Sequence, residues 1–270
     1  MTWKSPIAVL IATTVYLSTV VAAEFTISKP EKQDLEYSPF VNKSFPQLVF
    51  WGDTHLHTTY SPDAGMIGNF NLGPDDAYRF ARGEQVTANN GMQVKLVRPL
   101  DFLVVSDHSE YMGLVPRIRG GDPELLKDEV GKRWYNWYNE GPDGAYKVFL
   151  EFAEDLSANK GRIQFDSIAR STWDLMVEIA DQFNDPGTFT AFIGYEWTST
   201  PSGNNLHRVV VFRDGADRAG RVVPFSSFDS ANPEDLWVYL ANYEAKTGGR
   251  VMSIPHNANV SNGQMFATEK

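Results

Sequence analysis

The chain has 270 residues, 42% of them hydrophobic and seven of them tryptophan, enough apolar material for a full single-domain core. Its formal charge of −10 and pI near 5.0 disfavour nonspecific binding to nucleic-acid phosphates. With no cysteine, thiolate ligands and a cysteine nucleophile are excluded, and His, Asp and Glu are left for any chemistry.

The first 23 residues read as a cleaved signal peptide. Lys4 supplies a positive start, Ile7 to Val21 an uncharged stretch, and Val21-Ala22-Ala23 the small residues a signal peptidase needs. That stretch is about 15 residues, short of the roughly 20 that span a bilayer, so no stable membrane insertion is expected after cleavage. The expected location is periplasmic or extracellular. Removal of the signal takes away Lys4 and no acid, leaving the chain slightly more acidic.

Residues 24–46 are polar and read as an extended lead-in, followed by one domain over 47–270. Leu48 to Trp51 is predicted as the first strand, running into Asp53-Thr54-His55-Leu56-His57-Thr58. Asp63 follows on an expected tight turn. Pro74 to Arg82 is predicted helical, with Pro and two acids at its start. Phe102 to Ser106 reads as a buried strand that ends in Asp107-His108. The segment from about 115 to 165 reads as a helical insertion, with helices over Pro123 to Tyr138 and Gly144 to Leu156 and a Trp/Tyr-rich stretch, Trp134 to Tyr138, that can overhang a site or simply pack. Ile168 to Phe183 is a further helix. Phe189 to Tyr195 is a strand ending at Glu196, His207 to Phe212 another, Pro233 to Thr247 a helix, and Arg250 to Ile254 a strand leading to His256. Strand, polar motif and helix repeat in that order, which predicts an α/β fold of parallel βαβ units with the chemistry at the carboxyl ends of the strands.

All five histidines, His55, His57, His108, His207 and His256, stand at or near the end of such a strand. His55 and His57, at i and i+2, share a strand face and can chelate one cation. Asp107 beside His108 can ligate, orient a ligand or accept a proton. Glu196 at the end of a buried strand needs a cation or hydrogen bonds to offset its desolvation, and a carboxylate can bridge two metals. Taken one at a time these residues have ordinary structural readings; together they predict a metal site assembled from several strand ends. Arg208, beside His207, is a candidate partner for a substrate phosphate.

The sequences Trp51-Gly52-Asp53-Thr54-His55-Leu56-His57 with Asp63, Ser106-Asp107-His108-Ser109-Glu110-Tyr111, Gly194-Tyr195-Glu196 and Ile254-Pro255-His256-Asn257 resemble the successive motifs of the PHP (polymerase and histidinol phosphatase) superfamily. They look like an exported branch catalogued as a domain of unknown function. The resemblance implies a distorted, TIM-like (β/α)7 barrel with two or three divalent metals, zinc, manganese or iron. On that basis His55 and His57 would share one metal with Glu196 as a bridge, Asp63 and His108 would hold a second, and His207 and His256 a third with Glu196. The closing Asp-x-His of that family has no counterpart after His256, so the barrel is expected to be incomplete at the C-terminus, with that motif beyond Lys270 or the site unfinished. The implied activity is a phosphoesterase taking a small anionic phosphoester. The alternatives are an amidohydrolase-type metal hydrolase, or a metal- or ligand-binding module without catalysis. Substrate, metal identity and oligomeric state are not legible in these residues.

Overall fold

The strands of this chain are short and apolar and divide their side chains between two faces. A computed structural model describes residues 48–163 and 166–268. The expected signal peptide over 1–23 and lead-in over 24–46 lie outside the described residues. Within them, five strands form one sheet in the order β1 (Gly52–Leu56), β4 (Phe102–Val105), β5 (Thr190–Trp197), β6 (Arg208–Phe212), β7 (Val251–Pro255). A separate hairpin pairs β2 (Val86–Thr87) with β3 (Gln93–Val94). Eight α-helices accompany them among the described residues: α1 (Pro62–Ile67), α2 (Pro74–Ala81), α3 (Leu114–Gly120), α4 (Glu129–Asn139), α5 (Pro142–Ala158), α6 (Asp166–Phe183), α7 (Ala216–Ala219) and α8 (Pro233–Thr247).

Period-two alternation sets the layers. Leu103, Val105, Ile193, Tyr195, Val210 and Phe212 point to one face and join the main core, which α2, α6, α7 and α8 cover. Val104, Phe192, Val209, Val211 and Ile254 point to the other and form a small cluster of their own. The sheet curls around this second face. In a flat sheet the edge strands β1 and β7 would lie about 19 Å apart, four strand spacings. Instead the rings of His55 from β1 and His256 just past β7 approach to 4.0 Å.

The parallel expectation holds for part of the sheet. β1, β4 and β5 run parallel, but β6 is antiparallel to both β5 and β7. Between β5 and β6 the chain forms only a short 3-10 turn, Pro201–Gly203, and a direct return of this kind produces an antiparallel neighbour. A closed seven-stranded barrel is not what the described residues form; they form a curled, open five-stranded sheet in a mixed α/β arrangement.

Two local expectations also change. The first strand begins at Gly52, after the Leu48 to Trp51 run, whose side chains are exposed. At Trp51 the backbone N–H donates to the Asp101 carboxylate and the carbonyl accepts from the Asp101 N–H, which aligns the chain for β1. The β2–β3 hairpin escaped prediction although Asn90-Gly91, with Gly91 at φ +84°, is a recognised turn signal.

Helices α3, α4 and α5 enclose a second core around Leu114, Ile118, Trp134, Val148 and Phe152. The Asp128 carboxylate caps α4 by accepting from the N–H groups of Val130 and Gly131. Trp134 is fully buried and donates its indole N–H to Glu151, while Tyr138 donates its hydroxyl to the Gly65 carbonyl. These aromatics therefore pack inside the helical layer and support α1 rather than overhanging a site.

Candidate metal centre

One end of the curled sheet gathers every histidine of the chain around a single carboxylate. Glu196, the penultimate residue of β5, has no solvent exposure. His55 Nε2 lies 2.9 Å and His57 Nε2 2.7 Å from its Oε2. His207 Nδ1 lies 2.8 Å and His256 Nε2 2.5 Å from its Oε1. His108 Nδ1 stands 3.6 Å from Oε2. Asp63 adds a second carboxylate, 3.0 Å from His57 Nδ1 and 3.5 Å from His108 Nε2.

The elements explain this convergence. β1 carries one residue more than β4 between its paired positions: Asp53 faces Leu103, yet Leu56 faces Val105. That bulge frees the His55 amide, which donates to Asp53 Oδ1, and re-aims the histidine toward Glu196. His57 then follows just past the strand end. His108 extends β4 by a bridge to Glu196, with the Glu196 N–H donating to the Asp107 carbonyl and the Ser109 N–H to the Glu196 carbonyl. Antiparallel pairing brings the start of β6 beside the ends of β5 and β7: Arg208 pairs with Trp197 on one side and Pro255 on the other. His207 thus enters the site from the opposite chain direction. Asp63 sits in the first turn of α1, not on an isolated turn.

The chemistry of the donor set fits divalent cations. Both nitrogens of His57 abut carboxylate oxygens, and a neutral imidazole has one proton and one lone pair. A neutral His57 therefore turns a lone pair on one carboxylate, and only protonation or a cation removes that repulsion. Burial disfavours the imidazolium, but the hydrogen bonds it donates to Asp63 and Glu196 outweigh burial and raise the His57 pKa to about 10 without a cation. Glu196 shows the same balance: burial would raise its pKa, yet the surrounding imidazoles hold it far below the usual carboxylate range. Two donor sets have their ligand atoms within 4.8 Å of one another, His55 with His256 and Glu196, and His57 with His108 and Glu196. This partition differs from the expected pairing of His55 with His57. His207 touches Glu196 but belongs to neither set, and its other nitrogen lies 3.1 Å from the Thr200 hydroxyl.

Two expected site residues stand apart from the ring of ligands. Asp107 is fully buried, and its carboxylate accepts from the Thr58 N–H at 2.5 Å and the Thr58 hydroxyl at 2.7 Å. It holds the loop that follows His57, and burial raises its pKa to about 6. Its hydrogen bonds do not reach the histidines. Arg208 points to the face opposite His207, because neighbours on a strand alternate, and so does not meet a substrate at the histidine cluster.

Several contributors were not singled out from sequence. The Thr198 hydroxyl lies 2.5 Å from His108 Nδ1, and the Thr198 N–H donates to Glu110, which also accepts from the Ser227 N–H. The Ser61 hydroxyl accepts from the His108 N–H and stands 3.3 Å from His57 Nδ1. Thr198 was findable, since it lies two residues after Glu196 and so on the same strand face. Glu110 lies within the quoted Ser106–Tyr111 motif, and Ser61 carries no comparable pattern.

Residues 44–270 match the model of a family described as protein of unknown function (DUF3604). No curated protein and no solved structure matches the chain.

Proposed function

This chain belongs to the DUF3604 family of proteins of unknown function, and we propose that it is an exported, metal-dependent hydrolase of small phosphate esters with a PHP-type barrel architecture. The observation that carries this reading is the convergence of five histidines and Asp63 on the buried Glu196. Glu196 would be shared between two sites, His55 and His256 would complete one donor set, and His57 and His108, with Asp63 adjoining, would complete the other. Nitrogen and oxygen donors without sulfur suit zinc, manganese or iron.

Bound cations would supply Lewis acidity toward a phosphoryl oxygen and an activated water. The chain's own residues do the rest. Thr198 fixes His108 through Nδ1 and leaves Nε2 facing Asp63. Asp107 holds Thr58, and with it the loop that sets the direction of His57. Substrate approaches where the ligands are most exposed, at His55 with a side chain 33% exposed and Asp63 with 37%. No lysine or arginine pairs with Glu196 or Asp63 among the described residues, so the ester's charge would be met by the cations.

The amidohydrolase alternative usually places a lysine between the metals. Here the central position belongs to Glu196, and among the described residues the ion pairs of Glu196 and Asp63 are all with histidines. Metal analysis of the full-length protein with a phosphoester panel tests the proposal. Wild type should carry divalent metal and turn over at least one ester. His55→Ala combined with His57→Ala should lose metal and lower turnover at least about 100-fold. Unchanged metal content in the double variant would sink the reading, and metal without turnover on any ester would indicate a binding module.

A further inference from the structure

The strands that carry Glu196 and His207 present, on their other face, two buried donors that lack acceptors. Trp197 follows Glu196, Arg208 follows His207, and the two are directly paired across β5 and β6. Directly paired residues hold their Cβ atoms about 5 Å apart on a common face. Trp197 is fully buried and Arg208 is 8% exposed. Among the described residues, neither Trp197 Nε1 nor Arg208 Nε has a hydrogen-bond partner.

Both groups can only donate, and a donor buried without an acceptor is costly. The neighbour on the other side, Pro255, brings an apolar ring, and the surroundings are the main apolar core. An acceptor with negative charge would satisfy both donors. A guanidinium presents a planar fork that matches two oxygens of one oxyanion, and an indole N–H beside it supplies a further donor.

We propose that Arg208 and Trp197 form a binding site for a small oxyanion, a carboxylate or a phosphate group, on the face of the sheet opposite the histidine cluster. The site is separate from the proposed hydrolytic one, because His207 and Arg208 project to opposite faces. It is coupled to it by the backbone: an anion clamped between Arg208 and Trp197 holds the β5–β6 register that aims Glu196 and His207.

The test uses full-length protein stripped of metal by chelation, so that phosphate has no cation to bind. The chain has seven tryptophans, and 15N labelling gives each indole its own NMR signal, with Trp197→Phe assigning that of Trp197. Sodium phosphate and sodium acetate are titrated separately against sodium chloride at matched ionic strength. The Trp197 signal should shift saturably with at least one oxyanion, and Arg208→Gln should weaken that response at least about tenfold. Response to phosphate alone, or to both salts, supports the site and defines its size. No shift beyond that caused by chloride, or an equal shift in Arg208→Gln, overturns it. If Arg208→Gln does not fold, Arg208→Lys keeps the charge but loses the fork and should also weaken binding. The response should persist in the His55→Ala/His57→Ala variant, so failure of the hydrolase reading and failure of this one are separable.

Discussion

Glu196 could not remain ionised in a dry core without its surroundings, and those surroundings are five imidazoles. Removing a charge from water costs several kcal/mol unless it is compensated, so the ring of histidines and the carboxylate depend on one another. Residues that hold the ligands matter nearly as much as the ligands. Asp107→Asn keeps the shape of the side chain but weakens its hold on Thr58, leaving every ligand in place. Metal affinity should fall about 10- to 100-fold while the saturated metal content stays at the wild-type value, as read by titration calorimetry. At this scale the sequence was informative about the histidines, because imidazoles at four separate strand termini have few structural uses. It misled at Arg208, where adjacency to His207 suggested a shared role that strand alternation forbids.

At the scale of elements, the curl of the sheet depends on small residues where strands crowd. A Cβ on Gly194 would lie 2.5 Å from Val104 Cγ1 and 2.7 Å from the Val210 carbonyl oxygen. Gly194→Ala should therefore destabilise the protein by about 1–3 kcal/mol in chemical unfolding of the metal-free form. Asp214, just beyond β6, ties three segments together, accepting from the Arg250 N–H, the Tyr243 hydroxyl and Arg218. Burial pushes its pKa up, but these donors outweigh burial and hold it below the ordinary carboxylate value. A depressed folded pKa stabilises the fold above the unfolded value of about 3.9 and loses that contribution as pH falls through it. Asp214→Asn should cost about 1–3 kcal/mol at neutral pH and shrink the difference from wild type on acidification, measured by urea unfolding across that range. Helix α8 spans the predicted Pro233–Thr247 because its apolar period and its Asn232-Pro233 start are local signals. The direction of β6 was not legible, since an apolar run reads the same in a parallel or an antiparallel neighbour.

For the whole molecule, the candidate ligands come from β1, α1, the ends of β4, β5 and β7, and the start of β6. A cation bound among them ties these parts together only in the folded state, so it stabilises that state by mass action. Adding zinc or manganese to the metal-free protein at about 100 times its dissociation constant should raise stability by about 2.7 kcal/mol, seen as a higher melting temperature. The same addition should leave the His55→Ala/His57→Ala variant unmoved. The sequence by itself determined which histidines and carboxylates stand near strand termini and the mixed α/β character, because composition and periodicity are local. Only the tertiary structure decided which ligands meet, that β6 is reversed, that β1 bulges at His55 and that Arg208 faces away. Those outcomes depend on strand pairing and sheet curvature, which join residues as far apart as His55 and His256 and leave no trace in local pattern.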